Sequence, residues 1–231
     1  MIRTQVIAVL GRSALGMVLL LCMNGPLYAV DVVIDINQAR ALAGGVTPGD
    51  TPGFPVTISQ SGSYRLTGNL TVADLATTGI SVVSDNVTID LNGFSSLGPV
   101  VCTNGGSDCT QGTGEGIGID GRSNLGITVR NGVVQGMGGN GILLGGRARV
   151  EGVTAVSNRG YGINIRPQSN SFLGGGVAIN CIAEENGIGG IHVSIATGCV
   201  ADLNATSSQL EAFGNTGQNY CNGEFGEQHC P

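Results

Sequence analysis

The apolar residues of this 231-residue chain fall in short triplets with a polar or small residue at the centre, not at helical spacing. Val87-Thr88-Ile89, Ile127-Thr128-Val129 and Val177-Ala178-Ile179 show the pattern. On extended backbone the outer two side chains share one face and the middle one faces the other way. Each triplet therefore predicts a short strand with a single buried face. A glycine followed by apolar residues around a spacer recurs at Gly79-Ile80-Ser81-Val82, Gly116-Ile117-Gly118-Ile119, Gly141-Ile142-Leu143-Leu144, Gly162-Ile163-Asn164-Ile165 and Gly190-Ile191-His192-Val193, at steps of 37, 25, 21 and 28 residues. A second strand follows each unit, and a third follows Asn92-Gly93, Asn131-Gly132, Glu151-Gly152 and Asn180-Cys181. Three short strands per roughly 21 residues is the cadence of a parallel β-helix coil. One coil cannot bury its apolar face alone, whereas coils stacked about 4.8 Å apart bury a continuous column. A β-sandwich gives no reason for Gly and Asn to return at matching points, where each coil must take the same bend. The expected fold is all-β: a single right-handed parallel β-helix with a short N-terminal capping helix and a disulfide-closed C-terminal cap.

The ends of the pattern set the expected boundaries. Residues 1–29 read as an export signal: Arg3 and Arg12 precede the apolar stretch Ala14 to Met23, and Leu27-Tyr28-Ala29 suits cleavage. A membrane anchor needs about 20 apolar residues, and this run stops at Asn24-Gly25-Pro26. No membrane span is expected after cleavage, and the location is secreted or periplasmic. Residues 30–56 form a cap and lead-in, with a helix over Asn37 to Ala43 that starts at an N-cap residue and stops at Gly44-Gly45. The β-helix is expected over 57–213, and 214–231, which shows no strand pattern, as a C-terminal cap. The turn-rich stretch between Phe94 and Gly114 should project as a loop, and Pro167 to Gly176 should form a shorter excursion.

Composition sharpens this reading. Glycine numbers 41, there is no lysine, and charged residues are 11% against 41% hydrophobic, so the glycines serve turns in a chain that has a core to bury. Without residues 1–29 the chain keeps 8 Arg against 16 Asp plus Glu, a net charge of 8 − 16 = −8. Nucleic-acid affinity depends on cations that neutralise phosphate, so nucleic acid is excluded as a partner. Of seven cysteines, Cys22 lies in the signal; an even six in an exported chain point to disulfides. Sequence distance favours Cys102–Cys109 and Cys221–Cys230. It leaves Cys181 and Cys199, 18 residues apart and close to one coil length. Two reduced core cysteines are the alternative for that last pair. There is no CxxC pair and there are only two histidines, so no metal or other cofactor is expected.

The segments Asp85-Asn86-Val87-Thr88-Ile89-Asp90-Leu91-Asn92-Gly93-Phe94 and Ser123-Asn124-Leu125-Gly126-Ile127-Thr128-Val129-Arg130-Asn131-Gly132 resemble exported bacterial right-handed parallel β-helix repeat proteins of the pectate-lyase-like group. The resemblance covers roughly Gly79 to Val200 and implies the fold, not the chemistry. Pectate lyases of that group use an Arg or Lys base with clustered acids on calcium, and polygalacturonases use paired Asp residues with a Gly-His-Gly turn. This chain has neither set: His192 stands between Ile191 and Val193, and no Asp-Asp occurs.

Three function classes remain from sequence. Tyr161 between Gly160 and Gly162, with Arg159 beside it and Arg147, Arg149 and Arg166 nearby in the repeat, forms a cationic-aromatic patch on an acidic chain. Stacking and charged hydrogen bonds there would suit a glycan or a cell-envelope component. A solvated turn with snorkelling arginines is the plainer account. A polysaccharide lyase or hydrolase with an unfamiliar site is the second class, since glycosidic cleavage needs two placed carboxyls and Asp90, Asp120, Glu151, Glu184, Glu185 and Asp202 lie in the repeats. Asp90 is expected instead to pair with Arg130 of the next coil. A structural or adhesion module is the third. No catalytic residue is assigned.

Overall fold

The computed structural model describes residues 32–166, 175–205, 209–215 and 219–222. The export signal at 1–29 and most of the Pro167 to Gly176 excursion lie outside these residues. Eighteen strands, all paired in parallel, join in one sheet that winds through three faces. The chain forms a parallel β-helix. On the first face the inward residues stack as Val56, Ile80, Ile119, Ile142, Ile163, Ile191 and Leu210, in unbroken register. On the second face they run Ile34, Tyr64, Ile89, Val129, Val150, Ala178 and Ala196. On the third face they run Leu70, Ser96, Val134, Ala155, Ala183, Ala201 and Cys221. The side chains from Val56 to Leu210 on the first face are at most 2% exposed, and Val87-Thr88-Ile89 and Ile127-Thr128-Val129 place their outer residues in the core, whereas in Val177-Ala178-Ile179 the middle residue Ala178 points in and its neighbours point out.

Left-handed backbone turns the corners. Between the second and third faces it falls on Asn92, Asn131, Gly152, Asn180 and Gly198, and between the third and first on Gly136, Ser157, Glu185 and Leu203. Asn and Gly are tolerated there because their side chains cost little at positive φ. Directly after the second set of corners a buried amide ladder runs along the stack. The Asn158 side-chain amide donates to Asn186 Oδ1 (3.0 Å), Asn186 to Asn204 Oδ1 (2.9 Å), and Asn204 to Gln209 Oε1 (2.7 Å). The same oxygens accept the backbone N–H of the preceding coil's corner residue, Asn158, Asn186 and Asn204 in turn. Every buried amide is thus paired along the ladder, as burial of a polar group demands.

The helix Gln38–Ala43 forms at the N-terminal end, with Asn37 as N-cap accepting from Arg40 N–H and Gly44 closing it at φ +73°. Strand pairing extends further in both directions than the sequence pattern suggests. Ile34–Ile36 already pairs with the second face, ahead of residue 57, and Leu210–Asn215 and Tyr220–Asn222 continue the stack past residue 213. Within the stretch expected as a cap over 214–231, residues 214–215 and 220–222 are therefore strand. Parallel pairing there uses backbone hydrogen bonds, which need no apolar alternation. Cys221 is disulfide-bonded, and its expected partner Cys230 lies outside the described residues.

The insertion between Phe94 and Gly114 does project, but it is fastened back lengthwise on the stack. Cys102–Thr103 and Asp108–Cys109 form an antiparallel hairpin closed by the Cys102–Cys109 disulfide, as expected. At its tip, a Cβ on Gly106 would stand 2.3 Å from Asn186 O and 2.9 Å from Ala205 N. Only glycine permits that approach. The returning limb is held by Arg159, whose Nη1 donates to Gly112 O (2.9 Å) and Gly114 O (3.4 Å). A segment from an early coil thus clasps the corners of later ones.

Candidate functional site

Between the returning limb of the clasp and the first face lies a cleft of about 360 Å³, lined in part by Glu115, Arg122, Asn140, Arg159, Tyr161 and Arg166. Its walls exist because of local sequence. Gly138 and Gly139 let Leu75 and Glu115 approach so closely that a Cβ would stand 1.9 Å and 2.8 Å from their carbonyl oxygens. The Gly138-Gly139-Asn140-Gly141 run is therefore a corner packed under two other segments. Asn140 Oδ1 accepts from the Tyr161 N–H at 2.8 Å and fixes the start of the strand Tyr161–Ile165.

Each cationic side chain in the cleft has a different status. Arg122 is locked side-on to Asp120, with Nε to Oδ1 at 2.9 Å and Nη2 to Oδ2 at 2.8 Å. The hydrogen bond to Asp120 raises its pKa. Arg159 is committed to the clasp carbonyls. Arg166 is exposed and makes no ion pair among the described residues. Its guanidinium has its donors available.

Tyr161 is half-buried, and its ring centroid lies 5.8 Å from that of His192 at a tilted 42°. Burial, and then the nearby Glu211 charge, push the Tyr161 phenol above its usual range, so it remains a donor at neutral pH. His192 Nε2 stands 3.7 Å from Glu211 Oε2. Asn164 sits on the same strand, between Tyr161 and Arg166, in register with Leu143 on one side and His192 on the other. It is fully buried, and among the described residues neither polar atom of its side-chain amide has a hydrogen-bond partner. An orphan amide is costly to bury, by about 1–3 kcal/mol.

The chain matches no family model, no curated protein and no solved structure. What this site does must therefore be read from its own groups.

Three of the five residues expected in the cationic patch come together: Tyr161, Arg159 and Arg166. The other two do not. Arg149 lies on the second face, where its Nη2 pairs with Glu151 at 3.0 Å, and Arg147 occupies a left-handed corner at φ +58°. Sequence proximity misplaced them because one coil turns through three faces, so residues 12 or more apart in sequence can point in different directions. Arg122 and Glu115 line the cleft as well, although the sequence pattern does not single them out for the patch. Register was the available signal, since Asp120, Leu143, Asn164, His192 and Glu211 form one outward row of the first face.

The ladder expectation for Asp90 holds: Arg130 Nη2 meets Asp90 Oδ2 at 3.0 Å. The expected Cys181–Cys199 bridge is not present as a bond. Both residues are buried thiols, with Cys181 Sγ 3.3 Å from Ile179 O and Cys199 Sγ 3.5 Å from Thr197 O.

Proposed function

We propose that this chain is an exported, non-catalytic β-helix protein of the pectate-lyase-like kind, which holds an acidic glycan or another anionic envelope component in the clasp-walled cleft. The observation that carries this reading is the Arg166 guanidinium, exposed and without an ion pair among the described residues, beside the protonated Tyr161 phenol in a cleft of about 360 Å³. The chain as a whole is acidic, at −6. A local cationic cleft in a negative field selects for an anionic group at one place and repels it elsewhere. Arg offers a planar fork suited to carboxylate or sulfate, and the Tyr ring offers a face for a sugar. A volume near 360 Å³ is within the range of about 300–1,000 Å³ usual for small-ligand sites.

The test is calorimetric titration of the full chain with a panel of acidic and neutral oligosaccharides, with product analysis of each mixture. An acidic member should bind without turnover, and Tyr161→Ala with Arg166→Ala should weaken it at least about tenfold, or roughly 1.4 kcal/mol. Arg159 is a poor probe because its loss also releases the clasp. Unchanged affinity in the double variant would place the site elsewhere, equal binding of neutral sugars would remove the charge argument, and a cleaved product would replace binding with catalysis.

A further inference from the structure

Cys181 and Cys199 occupy equivalent corners of consecutive coils. The flanking residues are paired, Ile179 with Thr197 and Ile182 with Val200, so the two cysteines stack directly in register between them. Adjacent strands of a sheet lie about 4.8 Å apart, inside the Cα separation of about 4.4–6.8 Å that a disulfide accepts. Their side chains are 0% and 1% exposed, with Val153 one coil earlier at the same corner and Asn219 one coil later.

We infer that this pair is an oxidation site, which becomes a disulfide closing one complete coil into a covalent hoop. The hoop encloses Ile182–Glu184 of the third face, Asn186 of the amide ladder, and Gly189–Thr197 of the first and second faces. It also contains Ile188, which lines the cleft.

The chemistry is thiol–disulfide exchange with a protein or small-molecule disulfide as oxidant. The Cys199 thiolate attacks one oxidant sulfur, forming a mixed disulfide and expelling the other sulfur as a thiolate. Cys181, once deprotonated, then attacks Cys199 Sγ and expels the second thiolate. The pair loses two protons and two electrons, and the oxidant becomes two thiols. Where the two sulfurs meet in the stack, a hydrogen bond between them favours the Cys199 thiolate. That same hydrogen bond, and then burial, push Cys181 the other way. Since both thiols are closed off in the folded stack, the exchange belongs to folding, before the last coils close over them.

The experiment refolds the full chain from denaturant in a glutathione redox buffer, blocks free thiols under denaturing conditions without reductant, and maps the peptides by mass. A peptide joining Cys181 to Cys199, 2 Da below the dithiol, is expected. Closing an 18-residue loop should raise the melting temperature by about 6–12 °C over chain refolded with a reductant-treated pair. A Cys181→Val, Cys199→Val variant keeps the other disulfides and the apolar corner, Val being the residue at Val153. It should melt near the reduced-pair value whatever the oxidant. Blocked free thiols at both positions after oxidative refolding, or a peptide joining either cysteine to Cys102, Cys109 or Cys221, overturns the inference.

Discussion

The early coils and the late coils of this stack are built differently inside. On the second face the inward column begins with Ile34, Tyr64, Ile89, Val129 and Val150 and ends with Ala178 and Ala196. On the third it goes from Leu70 to Ala155, Ala183 and Ala201. Only the first face keeps large apolar residues throughout. Where the core thins, the amide ladder Asn158, Asn186, Asn204 and Gln209 begins, and the early corner it continues from holds Met137, whose N–H caps the ladder at Asn158 Oδ1 (3.0 Å). The late coils therefore replace apolar volume with buried hydrogen bonds. Such bonds are directional, so they set register where small Ala side chains leave it weakly defined.

The comparison can be broken most forcefully at Asn186. Its side chain accepts from Asn158 N–H and Nδ2 and donates to Ala155 O and Asn204 Oδ1. Asn186→Ala leaves several of these groups buried and unpaired, and should cost about 4 kcal/mol in urea unfolding. Ile142→Ala in the early stack empties a purely apolar site and should cost about 3 kcal/mol. If Asn186→Ala costs less than about 1 kcal/mol, the ladder does not hold the late coils, and the contrast drawn between the two ends is wrong.

The clasp joins the two regions, so a smaller effect is expected from loosening it. Gly106→Ala puts a methyl against the Asn186 and Ala205 backbone at φ +78°. Undocking the hairpin tip should cost about 1–2 kcal/mol. Limited proteolysis should then cut within residues 103–108, while the late coils remain protected. Cutting at the late corners instead, at the same rate as the hairpin, would mean the clasp supports the stack and is not merely attached to it.

Much of this was legible in the triplets. Their period placed the inward columns except at Val177-Ala178-Ile179, where the small Ala178 and not its larger neighbours faces the core, the returning Gly and Asn mark the corners, and the helix over Gln38–Ala43 follows from Asn37 and Gly44-Gly45. What the sequence hid depended on lengthwise geometry. Asn158, Asn186 and Asn204 look like ordinary turn residues until register stacks them. The cleft likewise needs a clasp whose docking is visible in the sequence only as Gly105-Gly106. Arg147 and Arg149 were assigned to the patch on proximity in sequence, and the coil carried them to other positions.

The outer surface repeats the contrast, and here the smallest effect is expected. Outward on the second face, Asp35, Arg65, Asp90, Arg130 and Glu151 alternate in charge along five paired strands, and the row then continues as Ile179 and Thr197. Arg65 meets Asp35 at 2.8 Å and Arg130 meets Asp90 at 3.0 Å, but the arginine side chains are 46% and 47% exposed. Water screens such pairs, so Arg130→Met should cost under about 1 kcal/mol, and less still in 1 M salt, where the Debye length is about 3 Å. Arg130 stands between Asp90 and Glu151, so its loss also leaves two acids of like charge with no cation between them. Arg65 also stands between two acids, Asp35 and Asp90, but its partner Asp35 is 45% exposed against 21% for Asp90, so at low salt Arg130→Met should cost more than Arg65→Met. Equal, salt-independent costs for the two variants would show that the arginine stems, not the alternating charges, are what this row contributes.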